Sequence, residues 1–263
     1  MIFKNFNYYR PETIEEAQRL LSSKENCRII SGGTFILPFL KNQEIFPKNI
    51  IGLKNITSLK NIEKTDDFIS IGSTATLDDI KRSNLIKNYI PVLNKFIPEI
   101  ATPQIRNMAS IGGNITCGLP WADLVFLLLA LDAELRFTEK NISIKDYLLQ
   151  RKDFTQFLLK YINIPRINIT KYFFIRIPRS NSTDIPLASV CIIKADKDYR
   201  VSCNLGNALP QRFPKTEKAL QDGESNIEVV FNDELNLLQK DELRRRIISV
   251  NFRRLLNEYK NKS

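Results

Sequence analysis

Two pairs of adjacent glycines are the residues whose type and spacing most directly indicate chemistry in this sequence. Gly32-Gly33 and Gly112-Gly113 supply four of the nine glycines. Without a Cβ in the way, neighbouring backbone N–H groups can converge on an anion such as a diphosphate. Thr34 and Ser110 add hydroxyl donors, and Asn114 adds an amide donor. A single glycine pair more often forms a plain tight turn, but two pairs eighty residues apart predict a diphosphate held from two sides.

Other kinds of site are excluded by the residue types that are missing. The chain has no histidine, which excludes Ser-His-Asp and Cys-His catalysis and any histidine-bound zinc or haem. Its sequence also has neither a Gly-x-Gly-x-x-Gly fingerprint nor a Walker lysine loop. The four cysteines are widely spaced, so we expect reduced thiols and no metal centre. They are Cys27, Cys117, Cys191 and Cys203.

Strands and helices alternate around the glycine pairs and must position them. A predicted strand, Cys27–Ile30, leads directly into the first pair, and Thr13 with Glu16 predicts the start of a preceding helix. Further strands are predicted near Ile50–Leu53, Phe68–Gly72, Ala133–Phe137, Lys171–Ile177, Leu187–Ala195 and Tyr199–Leu205. Further helices are predicted after a cap at Thr76–Asp79, over Pro91–Ile100 with a break at Pro98, over Leu124–Leu131 and Lys215–Gln221, and in the basic C-terminal segment.

Length and composition indicate a soluble globular protein. The 263 residues have room for two or three subdomains, and 43% are hydrophobic and 26% charged. The longest apolar run, Leu124–Leu131, is eight residues and too short to cross a bilayer. The N-terminus has no apolar block of the signal-peptide type. We therefore expect a cytoplasmic protein without a membrane span.

The positive net charge raises the question of a nucleic-acid partner. Thirty-nine basic and 29 acidic residues give +10, and residues 240–263 contain eight of the basic and three of the acidic residues. In this segment Ile247, Val250, Leu255 and Tyr259 lie near helical spacing, which predicts an amphipathic helix with a solvated basic face. A docking face for an acidic partner subunit is the alternative. No nucleic-acid motif accompanies the charge, so we expect no nucleic-acid partner.

A longer pattern surrounds the glycine pairs and resembles a known family. It resembles the FAD-binding subunit, or domain, of the xanthine dehydrogenase and carbon monoxide dehydrogenase family of molybdenum hydroxylases. The resemblance covers nearly the whole chain. It includes Phe6-x-Tyr8-x-Arg10-Pro11, Ser31-Gly-Gly-Thr34, Ile71-Gly-Ser-Thr-Ala-Thr-Leu77, Gln104-Ile-Arg-Asn-Met-Ala-Ser-Ile-Gly-Gly-Asn114, Pro120-x-Ala-Asp123, Leu129-Ala-Leu-Asp-Ala133, Gly206-Asn-Ala-x-Pro210 and Glu217-x-Ala-Leu220.

The resemblance implies an α+β fold with three parts. A two-subdomain FAD-binding fold of the vanillyl-alcohol oxidase type is expected over residues 1–167, divided into about 1–56 and 57–167. A small C-terminal α/β domain of the carbon monoxide dehydrogenase flavoprotein type is expected over residues 168–263, with a three-stranded antiparallel sheet and helices.

The resemblance also implies which residues bind the cofactor. Asp123 is expected to contact FAD and Leu159 to lie against the flavin, although Asp123 also suits the N-cap of the Leu124–Leu131 helix. Phe35 stands where the family usually has aspartate, and Arg176 where it usually has lysine, followed by Arg179 as the family's arginine. The implied cofactor-binding residues are Ile29, Ile30, Ser31, Gly32, Gly33, Thr34, Phe35, Ile36, Ile100, Ser110, Ile111, Gly112, Gly113, Asn114, Asp123, Leu159 and Arg176.

The function implied by the resemblance is that of an FAD-binding electron-transfer subunit. Electrons would come from the [2Fe–2S] clusters of a partner subunit and leave to NAD or another acceptor, while hydroxylation takes place on a molybdopterin-binding large subunit. The chain would thus be an oxidoreductase subunit and not a hydroxylase on its own. The substitutions at Phe35 and Arg176 leave open the alternative of a partner-binding subunit that has lost FAD.

Overall fold

The computed structural model describes residues 5–180 and 184–261, which form three separate sheets with helices packed on them. The first sheet is parallel, in the order β1-β3-β2. Thr13 begins the first helix, and its hydroxyl accepts a hydrogen bond from the Glu16 N–H at 3.1 Å, as predicted. The elements are β1 (Asn7–Tyr9), α1 (Ile14–Ser23), β2 (Cys27–Ile30), α2 (Ile36–Lys41) and β3 (Asn49–Gly52).

The second sheet is antiparallel throughout, in the order β4-β5-β8-β6-β7. The predicted break at Pro98 is present, because the helix that begins at Pro91 ends at Phe96 and a single 3₁₀ turn follows. The strands are β4 (Ile62–Lys64), β5 (Phe68–Gly72), β6 (Glu134–Phe137), β7 (Asn141–Ser143) and β8 (Leu159–Pro165). The helices are α3 (Leu77–Arg82), α4 (Asn84–Tyr89), α5 (Pro91–Phe96), α6 (Pro103–Arg106), α7 (Ile111–Thr116), α8 (Val125–Ala130) and α9 (Ile144–Gln150).

The third sheet is also antiparallel, in the order β12-β11-β10-β9. It has the three long strands that were expected, and a two-residue strand adds a fourth at one edge. The chain passes from the second sheet to the third between Pro165 and Ile169. The elements are β9 (Ile169–Pro178), β10 (Pro186–Ala195), β11 (Asp198–Asn204), β12 (Gln211–Arg212), α10 (Pro214–Gln221), α11 (Ile227–Leu238) and α12 (Glu242–Asn261).

Helix α8 is the centre of the largest hydrophobic core and links the second and third sheets. All six of its residues are buried. Alternate residues of β10 divide between two cores, since successive side chains of a strand point to opposite faces. Cys191 and Ile193 pack into the core that contains α8. Val190 and Ile192 pack into the core formed with helices α10–α12. The third sheet is therefore covered on both faces.

The C-terminal basic segment is a helix, as predicted, but its buried face differs from the expected one. Val250 is exposed, and the buried residues are Ile248, Phe252, Leu255 and Leu256. The Phe252 ring stacks on Phe231 of α11 with a centroid distance of 3.6 Å, so the face is set by a helix that the sequence pattern did not predict. Arg244 does not belong to a solvated basic face, because its guanidinium donates to the Leu187 carbonyl at 2.7 Å.

None of the helices in the described ranges is long and apolar enough to cross a bilayer.

Candidate cofactor-binding site

The first glycine pair lies in a short turn between β2 and α2. Gly33 has φ +75°, a left-handed conformation that glycine adopts without strain. The backbone N–H groups of residues 32–36 have no hydrogen-bond acceptor within the part of the chain that the structure describes. The hydroxyls of Ser31 and Thr34 likewise have no partner there. The turn therefore offers five consecutive amide donors, which we call the amide row (residues 32–36).

The residues before the second glycine pair lie directly against this turn. A Cβ built on Gly32 would overlap the carbonyl oxygen of Met108. Met108 and Ala109 immediately precede Ser110, the first residue of the segment around the second glycine pair, which we call the second motif (residues 110–114). The structure thus brings together two motifs that are eighty residues apart in the sequence, and the close approach of the two backbones requires glycine at position 32.

The second glycine pair is part of a helix and not an open turn. Ser110 is the N-cap of α7, and its Oγ accepts a hydrogen bond from the Gly113 N–H at 3.2 Å. The Ile111 N–H donates to the Ala75 carbonyl at 3.0 Å, and the Gly112 N–H donates to the Ser73 carbonyl at 2.9 Å. These donors are occupied, so the prediction that both pairs form amide nests is wrong for the second pair.

Gly112 is needed here for packing. A Cβ at this position would lie 2.6 Å from the Ser73 carbonyl oxygen. The Ser73 side chain next to it is buried, and its hydroxyl has no hydrogen-bond partner within the described residues. A buried polar group without a partner is costly, and a bound polar ligand is one way to satisfy it. Ser73 lies in the segment Ile71–Leu77 that carries part of the resemblance, but it was not among the expected cofactor-binding residues, and it adds a buried polar group beside the second motif.

Asn114 connects α7 to α8 and replaces Asp123 as the cap of that helix. Its Oδ1 accepts a hydrogen bond from the Leu124 N–H at 3.2 Å. Leu124 is the N-cap residue of α8, and its side chain makes no capping hydrogen bond. The alternative in which Asp123 is the N-cap is therefore wrong, because the helix starts one residue later and the N-cap is Leu124, whose N–H is bound by Asn114. The Asn114 amide nitrogen has no partner within the described ranges and remains a donor.

Asp123 instead forms a buried ion pair with Arg176 of β9. The Arg176 Nε lies 2.8 Å from the Asp123 Oδ1, and an Nη2–Oδ2 contact of 3.4 Å completes a two-pronged arrangement. The side chains of Arg176 and Asp123 are 3% and 12% exposed. Burial raises the pKa of Asp123 above its usual range, and the Arg176 guanidinium offsets part of that rise. Arg176 also donates to the carbonyl oxygen of Asp184, whose carboxylate pairs with Arg179 at 3.1 Å.

The aliphatic residues expected at the site are mostly core residues that hold the polar groups in place. Ile36, Ile100, Ile111 and Leu159 are buried, and Ile29 and Ile30 are half-buried against the first sheet's cores. Ile100 is additionally fixed by a residue that the sequence argument left out. The Arg106 guanidinium donates to the carbonyls of Ile100 and Ala101, both at 2.7 Å. The available signal was its place inside the quoted segment that begins Gln104-Ile-Arg106.

Comparisons with known proteins place the chain in a family. Residues 4–167 match the family described as "FAD binding domain in molybdopterin dehydrogenase". This match covers more than half of the chain, and the chain belongs to that family. FAD is accordingly its cofactor.

Curated relatives match over about half of their length. The glyceraldehyde dehydrogenase medium chain of Sulfolobus acidocaldarius is 30% identical over 128 residues, which are 49% of this chain and 46% of the relative. The carbon monoxide dehydrogenase medium chain of Afipia carboxidovorans is 31% identical over 152 residues, 56% of this chain and 53% of the relative. The xanthine dehydrogenase FAD-binding subunit of Escherichia coli O157:H7 is 31% identical over 135 residues, 51% of this chain and 46% of the relative.

Solved structures confirm the α+β fold over the whole chain. A chain of the reconstituted carbon monoxide dehydrogenase from Oligotropha carboxidovorans superimposes with a TM-score of 0.88, 23% identity and full coverage of both chains. A chain of quinoline 2-oxidoreductase from Pseudomonas putida gives a TM-score of 0.83, 18% identity and 98% coverage of both. At this identity the likeness concerns the fold.

The residues of the site fit FAD. The amide row provides donors for a diphosphate, and a side chain at Gly32 would fill the space between the two motifs. The buried Ser73 hydroxyl and the Asn114 amide offer further donors on the second motif. Asp123 was expected to contact FAD, but both of its carboxylate oxygens accept hydrogen bonds from Arg176.

Proposed function

We propose that this chain is the FAD-carrying electron-transfer subunit of a molybdenum hydroxylase related to xanthine dehydrogenase. Its relatives are named as medium chains and FAD-binding subunits of such dehydrogenases, which supports the proposal. Bound FAD supplies the redox chemistry, taking electrons from the [2Fe–2S] clusters of a partner subunit and giving them to NAD or another acceptor. Substrate is hydroxylated on a molybdopterin-binding large subunit, and this chain binds and orients the cofactor.

The proposed site residues are those implied by the family resemblance, with roles adjusted to the geometry. The observation that carries the proposal is the amide row, which lies against the second motif with its donors unused. Residues 32–36 would hold the diphosphate through backbone N–H groups. Ser31, Thr34, Ser73 and Asn114 would add side-chain donors. We further propose that residues 1–167, divided near residue 56, form the FAD-binding unit and residues 168–263 the C-terminal domain.

Cofactor content tests the first part of this proposal. Purified protein is expected to be yellow, and acid should release FAD, because the chain lacks the histidine needed for a histidyl link. The rival function, a partner-binding subunit that has lost FAD, is favoured by the engagement of Asp123 with Arg176. Protein that remains colourless after incubation with FAD would establish the rival.

A matched pair of glycine variants tests the site. Gly33 and Gly223 have nearly the same left-handed φ, +75° and +69°, but Gly223 has no atom near its Cβ position and lies outside both motifs. Gly33→Ala and Gly223→Ala should both lose about 1 kcal/mol of stability from backbone strain. We expect Gly33→Ala alone to weaken FAD binding, by tenfold or more, since the strain is relieved by moving the amide row. Equal FAD affinity of the two variants would contradict the site.

Metal content tests the partnership. We expect the isolated chain to show no hydroxylase activity. Affinity purification of the tagged chain from its native cells should recover molybdenum and iron together with FAD. Recovery of FAD without molybdenum or iron would contradict membership of a molybdenum hydroxylase while leaving FAD binding intact.

A further inference from the structure

Arg106 is a buried cation that forms no ion pair with an acidic side chain in the described ranges. Its guanidinium donates through Nη1 to three main-chain carbonyls, at 2.7 Å to Ile100, 2.7 Å to Ala101 and 3.2 Å to Pro98. The Nε of Arg106 is also buried and has no partner there. A buried charge is usually paired with an opposite charge, so the role of this guanidinium is to hold main-chain oxygens.

The three carbonyls belong to a strained turn, which we call the arginine-held turn (residues 98–102). Ala101 has φ +46°, a left-handed conformation that is unfavourable for a residue with a Cβ. The carbonyl oxygens converge on one nitrogen, and without a cation there they would repel one another. No other donor in the part of the chain that the structure describes reaches the carbonyls of Ile100 and Ala101. The conformation of the turn therefore depends on Arg106.

The arginine-held turn leads through α6 to the amide row. Helix α6 has only four residues, too few to hold its own shape, so its position depends on the contacts around it. The Ile105 carbonyl accepts hydrogen bonds from the N–H groups of Met108 and Ala109, at 3.0 and 2.7 Å. The Met108 carbonyl oxygen then lies against Gly32, in the space that a Cβ would occupy. Residues 98–109 thus form one hydrogen-bonded unit that reaches the first residue of the amide row.

The amide row needs such a support because its own hydrogen bonds do not fix it. Its five N–H groups have no acceptor among the described residues, so no bond within the chain sets the direction in which they point. Packing contacts must do so. Leu37 packs over Gly33 on one side, and the Met108 carbonyl contacts Gly32 on the other. A shift of that carbonyl would let the first donors of the row turn away from a diphosphate.

We propose that Arg106 is a positioning residue for FAD, which holds the Met108 carbonyl against Gly32 and so keeps the amide row directed at the diphosphate. This inference rests on the proposed function. Arg106 acts through the main chain, and its positive charge is what the three carbonyls require. Lysine should replace it in part, since an ammonium group has three N–H donors although its side chain is shorter. Glutamine, which is neutral, should not replace it.

Binding of FAD to the cofactor-free full chain tests the proposal. Calorimetric dissociation constants are measured for wild type, Arg106→Ala and Arg106→Lys, under conditions in which urea unfolding shows each variant to be fully folded. We expect Arg106→Ala to weaken FAD binding at least about tenfold, as for the loss of one hydrogen bond to a charged group. Arg106→Lys should bind FAD with an affinity between those of Arg106→Ala and wild type.

Arg200→Ala is the matched control. The Arg200 side chain is also buried, 13% exposed, and donates to a main-chain carbonyl, that of Ala130, but it lies on the third sheet and outside both glycine motifs. Arg200→Ala should therefore lower the stability of the protein and keep the FAD affinity of wild type.

Three results would overturn the positioning role. If Arg106→Ala is less stable than wild type but loses less than about tenfold in FAD affinity, Arg106 supports only the fold. If Arg200→Ala loses FAD affinity to the same extent, the loss follows from lowered stability. If Arg106→Lys binds FAD no better than Arg106→Ala, the carbonyls do not require a cation. Should Arg106→Ala fail to fold, Arg106→Gln must show the loss of about tenfold, because its amide is neutral. A wild-type chain that binds no FAD would instead overturn the proposed function.

Discussion

At the scale of single residues, the buried ion pair of Asp123 and Arg176 is expected to contribute strongly to stability. Two charges taken out of water are tolerated when each satisfies the other, and removal of one leaves the other buried and uncompensated. Arg176 is the more deeply buried of the two side chains. It also ties the strand that carries it to the carbonyl of Asp184. The pair therefore joins the segment that precedes α8 to strand β9 of the third sheet.

Arg176→Met should destabilise the protein by about 3 kcal/mol, because it leaves the Asp123 carboxylate buried without its cation. Arg176→Lys should cost less, since it keeps the charge and loses the two-pronged geometry. The double variant Asp123→Asn with Arg176→Met should recover part of the loss. Urea unfolding at pH 7 measures all three. A loss below 0.5 kcal/mol for Arg176→Met, within the range ~0–1 kcal/mol of exposed pairs, would show that the pair is not energetically coupled.

Sequence reasoning located the two glycine pairs better than it described their geometry. The glycine pairs were identifiable because glycine is scarce and paired only at these places. The occupied N–H groups of the second pair were not predictable, because their acceptors, Ser73 and Ala75, come from a segment almost forty residues earlier. Asp123 and Arg176 are separated by 53 residues, and nothing local indicates that one faces the other.

At the scale of elements, the capping box at the start of α3 supports the second motif. Thr76 accepts a hydrogen bond from the Asp79 N–H, and the Asp79 carboxylate accepts one from the Thr76 N–H, both at 3.0 Å. The next residue, Leu77, donates its N–H to the Ala109 carbonyl at 2.9 Å, directly before the N-cap of α7. The box thus fixes the place where the second motif begins.

Asp79→Asn should cost about 1 kcal/mol at pH 7, the usual value of an N-terminal cap. Burial alone raises the pKa of Asp79, but hydrogen bonds from Thr76 and the Lys60 charge outweigh burial and lower it. A lowered pKa contributes stability above the ordinary carboxyl value, and that contribution is lost as pH falls through the folded value. The difference between variant and wild type should therefore shrink as the pH falls below the ordinary carboxyl value.

Asp78→Asn is the matched control for this prediction, because Asp78 pairs with the exposed Arg82 and is not part of the box. Its cost should stay under about 0.5 kcal/mol, typical of an i,i+4 surface pair. Urea unfolding at pH 7 and pH 3 distinguishes the two positions. A constant difference for Asp79→Asn across this range would contradict the role of its ionised form.

Elements with clear periodicity were predictable, but a cap alone was not a sufficient signal, since α9 was missed although the Ser143 hydroxyl accepts a hydrogen bond from the Asp146 N–H at its start. The strand Phe68–Gly72 was predicted to the residue, since its alternating side chains are read directly from the sequence. Helices α2 and α11 were not predicted, because neither begins with a side-chain cap. Helix α2 also carries Pro38 in its first turn, which weakens the helical pattern although proline is tolerated there.

At the scale of the whole molecule, a charged network fastens the third sheet to the C-terminal end of α8. Asp132 lies 2.7 Å from the Arg200 Nη1 and 2.9 Å from the Arg212 Nη1. Arg200 also donates to the Ala130 carbonyl at 3.1 Å, and Arg212 pairs with Glu217 of α10. A polar cavity of about 320 Å³ lies beside this network. This charged network holds the C-terminal end of α8, and the ion pair of Asp123 and Arg176 holds the segment at its N-terminal end.

Asp132→Asn should lower stability by about 1–2 kcal/mol, because two partly buried arginines lose their shared carboxylate. Asparagine tolerates the φ of +50° at this position, so backbone strain does not confuse the result. The effect should shrink in high salt, since Asp132 itself is half exposed. Asp198→Asn, at the exposed start of β11, is the control and should change the melting temperature little. Equal shifts in melting temperature for Asp132→Asn and Asp198→Asn would show that the charged network does not stabilise the protein.

The complete burial of α8 has a consequence for amide hydrogen exchange. The hydrogen bonds of α8 are shielded from solvent, and both ends of the helix are held. Asn114 binds the Leu124 N–H at the start, and Arg200 and Arg212 donate to the carbonyls of Ala130 and Leu129 at the end. Amides of residues 128–130 should therefore become accessible to deuterium only when the second and third sheets separate, which requires global opening. Their exchange free energies should equal the global value from urea unfolding. The protein would then open as one cooperative unit, with the fully buried helix α8 as the last part to exchange.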